Sequence, residues 1–400
     1  MGMNDTPKGE RVHIAIFGKR NVGKSSLINA ITGQDISVVS NQKGTTTDPV
    51  YKAMELLPIG PVMFIDTPGL DDEGDLGELR VEKAKEILRK TDVALIVADG
   101  IVKDDFSMEQ ELEQYLSAQD IPYLWVWNKC DLGMSSFDEN KQKEQGVCVS
   151  TITLEGIDTL KEMIPKLLPK EEEKVLVRDL VECGDGVILV VPIDKAAPKG
   201  RLILPQQQVI RDLLEKGAFP MVTRETELEK VFQKLSVKPK MVITDSQVFA
   251  YVNKVTPKDI PLTSFSILMA RYKGDLQELA ESASCLHNLH NGDTILMAEG
   301  CTHHRQCGDI GTVKLPNWIK EYTGKELSFE TSSGGGFPKD LKKYAMVVHC
   351  GGCMLNSREM KYRMKEAKQQ GVPMVNYGIL IAYMKGIIER SLGLFPEIKI

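Results

Sequence analysis

The chain has 400 residues, 42% of them apolar, and a formal net charge of −6. That length and composition allow two or three domains with sizeable cores and exclude global disorder. The acidic balance excludes a protein whose main task is to coat nucleic acid, since that needs clustered Lys and Arg.

No apolar run reaches the length of a membrane span, and Met1 to Arg11 is polar with no hydrophobic signal core. The expectation is a cytoplasmic protein with no membrane partner. Its eight cysteines are then reduced, and those at short spacing read as metal ligands or redox groups.

From Val12 short apolar runs alternate with helical stretches, the pattern of an α/β architecture. Predicted strands are Val12–Phe17, Val62–Asp66, Val93–Asp99, Tyr123–Asn128 and Gly146–Val149. Predicted helices include Lys24–Thr32, Glu78–Arg89 and Ser107–Gln119. A charged, Pro-led stretch from Pro169 to Lys174 reads as a linker. A second α/β unit follows, with strands at Val187–Ile193, Ala218–Val222 and Met241–Thr244. Its helices fall at Pro205–Lys216, Glu225–Leu235 and Ser246–Val255, and it carries no catalytic spacing. A third unit holds strands at Thr294–Ala298, Tyr344–Val348 and Pro373–Asn376, a helix at Arg358–Gln370 and a long apolar helix from Gly378 to Leu392. Ser332 to Gly336 reads as a flexible loop, and the sequence gives no sign of an internal repeat. The fold class is therefore α/β, a P-loop GTPase domain over 1–170 followed by two smaller α/β domains over 171–262 and 263–400.

The segment Gly18-Lys19-Arg20-Asn21-Val22-Gly23-Lys24-Ser25 follows a strand and opens a helix, the context a phosphate loop requires. Its glycines let backbone N–H groups turn toward phosphates, and the helix N-terminus adds its dipole. Lys24 would neutralise the β- and γ-phosphates, and the Ser25 hydroxyl would hold Mg2+, with Ser26 beside it. Asp66-Thr67-Pro68-Gly69 lies at a strand end, where Asp66 can bind Mg2+ through water and the Gly69 N–H can sense the γ-phosphate. In Asn128-Lys129-Cys130-Asp131, the Asp131 carboxylate can accept from the N1 and N2 donors of guanine, which adenine lacks. Asn128 would brace the base side, Lys129 would pack over the ring, and the Ser150 N–H would face guanine O6. Thr46, in Gly44-Thr45-Thr46-Thr47-Asp48, would complete the Mg2+ shell.

This motif set resembles the TrmE/Era branch of GTPases over about 160 residues. The resemblance implies GTP hydrolysis to GDP and phosphate. Leu70 stands where Ras-like enzymes carry a catalytic glutamine, so another group must offset transition-state charge. Asn21 matches the asparagine of potassium-dependent members, which implies a K+ held by Asn21 and the loop between Ser37 and Thr47.

The third unit carries Cys301-Thr302-His303 after one strand and His349-Cys350-Gly351-Gly352-Cys353 after another. Loops at strand ends of an open α/β sheet are where ligands bind. Residue chemistry leaves three readings open. Zinc would take Cys301, Cys350, Cys353 and a histidine. A dithiol would use Cys350 and Cys353. An iron–sulfur cluster would take the three cysteines and leave an exchangeable position. Cys130, Cys148, Cys183, Cys285 and Cys307 read as structural or bystander residues.

A potassium-type GTPase joined to a Cys-x-His … His-Cys-x-x-Cys pattern resembles the FeFe-hydrogenase maturation GTPases, the HydF-type scaffold or carrier maturases. Val191 to Arg201 and Thr263-Ser264-Phe265-Ser266 carry the likeness through the middle of the chain. The resemblance implies GTPase, dimerisation and cluster-binding domains, and a homodimer or larger assembly. It also implies a 4Fe-4S cluster on Cys301, Cys350 and Cys353, with His303, His349 or the remoter Asp194 as fourth ligand. The implied partners are radical-SAM maturases, which supply a diiron precursor, and the apo FeFe-hydrogenase that receives it. The alternative is an RNA- or ribosome-associated assembly GTPase with a zinc module.

Overall fold

The computed structural model describes residues 6–33, 49–69, 84, 86–101, 106–133, 146–168, 175–193, 202–301 and 309–399. The expectations for Thr46, Leu70, Asp194, His303, Cys307 and the loops at 37–47 and 71–77 lie outside these residues. The chain divides into two compact units, Met1–Glu172 and Glu173–Ile400. Among the described residues, no helix is long and apolar enough to cross a membrane.

The first unit is a six-stranded sheet in the order β2-β3-β1-β4-β5-β6. Its strands are β1 (Val12–Phe17), β2 (Val50–Leu56), β3 (Gly60–Asp66), β4 (Val93–Asp99), β5 (Tyr123–Asn128) and β6 (Gly146–Cys148). Helices α1 (Lys24–Thr32), α2 (Ser107–Ala118) and α3 (Ile157–Leu167) accompany them. β2 runs antiparallel to β3 and the other pairs are parallel. The parallel strands are buried on both faces, which is why they read as continuous apolar runs. Side chains alternate across β1, so Ile14 and Ile16 enter one core while Ala15 and Phe17 enter the other. Burying each of the larger side chains, Ile14, Ile16 and Phe17, contributes about 1.5–3 kcal/mol. β2 was not expected from sequence. It is an edge strand with one wet face, and its exposed positions dilute the apolar signal.

The second unit holds two four-stranded parallel sheets on one continuous hydrophobic core. The first has β7 (Gly186–Val190), α4 (Leu204–Lys216), β8 (Phe219–Thr223), α5 (Leu228–Lys234), β9 (Met241–Thr244), α6 (Phe249–Val255), β10 (Leu262–Ser264), α7 (Phe265–Lys273) and α8 (Leu276–Glu281). The second has β11 (Thr294–Glu299), α9 (Leu315–Thr323), β12 (Ser328–Ser333), β13 (Met346–His349), α10 (Ser357–Gln369), β14 (Met374–Asn376), α11 (Tyr377–Met384) and α12 (Ile388–Leu392). β10 pairs with β9, so the strand through which the expected boundary at 262/263 passes belongs to the middle sheet. Ser332 and Ser333 end β12 rather than lying in a loop, and the long C-terminal helix is broken at Gly386, whose φ is 65°.

The two sheets are an internal repeat, contrary to the reading of the sequence. In each, taking strands in chain order, the spatial order is second, first, third, fourth. The registers coincide as well. Val187 faces Met241 as Ile295 faces Met346, and Thr244 faces Ser264 as His349 faces Asn376. Both repeats open on a Gly-Asp turn. Gly184 and Gly292 have φ of 89° and 91°. Asp185 and Asp293 each accept from the N–H three residues earlier, Glu182 at 2.8 Å and His290 at 2.7 Å. With that register, Pro261 to Gly274 aligns with Pro373 to Gly386, sharing Pro, Ile-Leu, Ala and Lys-Gly at the same offsets. The two halves also meet through equivalent positions. A Cβ on Gly378 would lie 2.7 Å from Ser266 Cβ and 3.0 Å from Ser246 Oγ; one on Gly351 would lie 3.7 Å from Ser266 Oγ. The C-terminal strand ends of the two sheets thus face each other about a pseudo-twofold. Divergence of the loops, including the shorter spacing between β9 and β10 than between β13 and β14, hides the repeat from inspection of the sequence.

Candidate functional site

The first unit assembles a phosphate loop between β1 and α1. Gly18 has no room for a side chain, since a Cβ there would sit 2.2 Å from the Val97 carbonyl oxygen. Gly23, with φ of 93°, caps α1, and its Cβ would strike Asn128 Nδ2 at 2.3 Å. Asn21 takes the left-handed conformation, φ 59°, on the exposed rim of the loop. Arg20 and Ser26 are exposed, Lys19 is half-buried and Val22 is buried. Lys24 is buried and donates to the carbonyls of Gly18 at 2.8 Å and Lys19 at 2.7 Å. Its ammonium is thus held over the loop, where phosphate oxygens could replace those carbonyls. Ser25 Oγ donates to Asp66 Oδ2 at 2.5 Å, which brings the two expected Mg2+ groups together across α1 and β3. Burial pushes the Asp66 carboxyl up, opposed by Ser25, Lys24 and Lys52. Thr67 Oγ1 donates to the Ile16 carbonyl at 2.6 Å and fixes the start of the Asp66–Gly69 turn to β1.

The base side is tied to the phosphate side. Asn128 is fully buried; its Nδ2 donates to the Val22 carbonyl at 2.8 Å, and its Oδ1 accepts from the Thr151 N–H at 3.3 Å. Lys129, at φ 67°, forms an ion pair with Asp99 at 2.5 Å that holds its stem along the site. Asp131 is exposed, so its carboxylate can meet a base from solvent. The Ser150 N–H, expected at guanine O6, donates to the Glu155 carbonyl at 3.0 Å. Ser150 acts through its hydroxyl, which accepts from the N–H groups of Ile152 and Thr153 and shapes the loop after β6.

In the second unit, Cys301 follows β11, and Cys350 and Cys353 follow β13. These two strands are neighbours, and the chain leaves them toward opposite edges, β12 beyond β11 and β14 beyond β13. The cysteines therefore lie at the topological switch point of the sheet, the place where open α/β sheets bind ligands. Cys350 Sγ accepts from the Gly300 N–H at 3.1 Å and the Gly352 N–H at 3.4 Å. Gly300 leaves room for Leu355, since a Cβ there would lie 2.8 Å from Leu355 Cγ. Burial, with neighbouring thiols and Glu299, pushes the Cys301 thiol up to about 12 and Cys350 up to about 11. Both must lose a proton to bind a metal. Among the described residues, no group of three or more His, Cys, Asp or Glu side chains is already arranged to hold a metal ion.

His349 was expected as a candidate fourth ligand, and the structure corrects this. Its side chain is fully buried, with both ring nitrogens engaged. Nε2 meets Arg363 at 3.1 Å and Nδ1 meets the Cys350 carbonyl at 2.7 Å. An arginine only donates, so Nε2 accepts and Nδ1–H is the donor. Burial and the Arg363 charge hold its pKa down at about 3. A neutral imidazole whose two nitrogens are both bonded has no lone pair to offer a metal.

Sequence reasoning also missed the residues that build this site from behind. Lys273, from the first repeat, is buried and donates to the carbonyls of Cys353 at 3.1 Å and Leu355 at 2.6 Å, pinning the Cys353 turn. Arg363 is fully buried and bridges His349, Glu359 and the Gly334 carbonyl. Glu299 and Tyr377 are buried beside the cysteines. Of these only Lys273 carries a sequence signal, the shared Ile-Leu-x-Ala-x-x-Lys-Gly that becomes visible once the repeat is aligned.

Comparison with known proteins follows this division. The family model "50S ribosome-binding GTPase" matches residues 13–129. The models for the Hydrogen maturase F dimerization domain and tetramerization domain match residues 176–274 and 277–394. Among curated relatives, the tRNA modification GTPase MnmE of Aquifex aeolicus is 34% identical over 158 residues, covering 39% of this chain and 34% of that protein. GTPase Era of Geobacter sp. is 31% identical over 166 residues, covering 39% of this chain and 55% of that one. The chain thus spans between a third and about half of these relatives' lengths. Among solved structures, Era bound to MgGDPNP and nucleotides of 16S ribosomal RNA is 22% identical, covering 53% of this chain and 93% of that chain, with a TM-score of 0.34. The G domain of the T. maritima FeoB iron transporter is 26% identical, covering 40% and 99%, with a TM-score of 0.30. With a GTPase domain followed by both hydrogen maturase F domains, the chain belongs to the HydF-type maturase family.

Proposed function

We propose that this chain hydrolyses GTP in its first unit and uses its second to carry an iron–sulfur group. In this reading it is a scaffold that accepts a diiron precursor from radical-SAM maturases and delivers it to apo FeFe-hydrogenase. The observation that carries the proposal is the set of three cysteines at the β11/β13 switch point of a chain whose other unit assembles a guanine-nucleotide site. Lys24 would neutralise the phosphates, Ser25 and Asp66 would hold Mg2+, with Thr46 completing its shell, and Asp131 would select guanine. Asn21 would contribute to a K+ site that offsets transition-state charge in place of a glutamine or arginine. Comparing hydrolysis in K+ and in Na+ at equal ionic strength tests that role.

A 4Fe-4S cluster fits the residues present. Cys350 Sγ already accepts two backbone N–H bonds, the pattern that stabilises a thiolate, and the buried Tyr377 hydroxyl has no partner among the described residues. Cys301, Cys350 and Cys353 would hold the cluster, which supplies an iron position open to an exchangeable ligand. Glycines at 351 and 352 let the chain wrap it closely, and the buried Lys273 keeps the Cys353 turn in place. His303 and Asp194 are the fourth-ligand candidates that remain from the sequence.

The test is anaerobic reconstitution of the full chain with iron and sulfide, followed by activation of apo-hydrogenase. Serine at 301, 350 or 353 should abolish the brown chromophore and hydrogenase activation while GTP hydrolysis continues. A colourless protein holding one zinc would instead support the RNA- or ribosome-associated alternative, which the two hydrogen maturase F domains disfavour.

A further inference from the structure

We propose that the Tyr377 hydroxyl donates a hydrogen bond to the metal group held by Cys301, Cys350 and Cys353, an inference that rests on the cluster reading above. Tyr377 opens α11 directly after β14, 5% exposed, and its hydroxyl has no hydrogen-bond partner among the described residues. A buried hydroxyl left unmade is costly, so this one calls for a partner beyond the described residues. The hydroxyl lies beside the Glu299 side chain, at the end of β11 and two residues before Cys301. A Cβ on Gly311 would sit 2.5 Å from both the Tyr377 hydroxyl and Glu299 Oε1, so the phenol, the end of β11 and the start of the 310–314 turn converge. Burial pushes the phenol up, and Cys350, Glu299, Asp309 and Cys301 are close enough to push it further once ionised.

The internal repeat supplies the comparison that isolates this hydroxyl. The residue equivalent to Tyr377 is Phe265, which opens α7 directly after β10. Both follow a strand end that faces the equivalent position of its neighbour, Ser264 opposite Thr244 and Asn376 opposite His349. Both follow a capping side chain, Ser264 Oγ accepting from Ile267 N–H at 3.3 Å and Asn376 Oδ1 from Ile379 N–H at 3.4 Å. Phe265 is buried like Tyr377, so the ring alone satisfies the packing at this place in the fold. At the switch point the second repeat has Glu299, Cys301 and Cys350 where the register puts Val191, Ile193 and Asp245 in the first. The added hydroxyl therefore accompanies the metal-binding residues rather than the fold. Its proton can go to a cluster sulfide, a cysteine Sγ or the exchangeable ligand, and in each case it favours the more negatively charged, reduced state.

The experiment compares wild-type and Tyr377→Phe protein as the full chain. The metal-free proteins are melted, and the anaerobically reconstituted proteins are assayed for iron and sulfide, EPR of the reduced state and midpoint potential. The expected result is an unchanged or higher melting temperature without metal, wild-type iron content, an altered EPR signal and a lower midpoint potential. Iron uptake that falls while metal-free melting is unchanged would also support the proposal. Reconstituted Tyr377→Phe with wild-type EPR and potential would overturn it, as would a lower melting temperature without metal, which would mean the hydroxyl serves the fold. Wild-type protein that takes up no iron would overturn the cluster reading itself and this inference with it.

Discussion

Replacing Arg363 by Met tests whether His349 belongs to the fold or to the metal. Arg363 is fully buried and donates to Glu359 at 2.9 Å, His349 Nε2 at 3.1 Å and the Gly334 carbonyl at 2.6 Å, with its guanidinium 5.0 Å from the Phe337 ring centre. Met fills part of the space but leaves the buried Glu359 carboxylate and two further acceptors unpaired. Removing one partner of a buried ion pair costs about 3–5 kcal/mol. For a unit of this size each kcal/mol lowers the melting temperature by roughly 2–4 °C, so the loss should be about 10 °C. The assay is far-UV circular dichroism of the metal-free full chain, with GTP hydrolysis measured beside it. Hydrolysis should be unchanged, because Arg363 belongs to the second unit. A melting shift under about 2 °C would refute the argument that this network holds β13 and α10 together.

The same pair predicts a pH effect. His349 is neutral in both states above its usual pKa, but below it the unfolded chain gains a proton that the folded chain, with His349 at about 3, does not. Its contribution is present above pH ~6.5 and lost as pH falls toward 3, about 2 kcal/mol between pH 7 and 5. Denaturant midpoints should show that slope, and it should flatten in His349→Gln. Gly23→Ala would force a Cβ into Asn128 and strain a left-handed backbone, so GDP affinity should drop at least about tenfold in a fluorescent-nucleotide titration. Unaltered affinity would mean the Gly23–Asn128 contact is dispensable. Asp131→Asn should trade guanine for xanthine nucleotides, because an amide N–H can pair with the xanthine O2 that the carboxylate repels; retained GTP preference would remove Asp131 from base selection. Lys273→Met should loosen the Cys353 turn and lower iron retention on gel filtration while GTP hydrolysis persists, and wild-type retention would argue against that role.

The phosphate loop, the Asp66 turn and the Asn128–Asp131 motif could be read from sequence because each is a run of neighbours whose chemistry is set by local geometry. Buried parallel strands such as β1, β4 and β5 were legible for a similar reason, since continuous apolar runs survive any register. The three cysteines were legible as a group, but their meeting was not. Cys301 lies far along the chain from Cys350, and only the strand order places β11 beside β13. Tertiary structure also decided what surrounds them. His349 was turned from a candidate ligand into a clamp by a buried arginine on α10, and Lys273 reached the site from the other repeat. The repeat itself rests on register and paired hydrogen bonds, which are properties of strands in contact. Sequence recorded both copies, but insertions between their strands had erased the common spacing by which a period is seen.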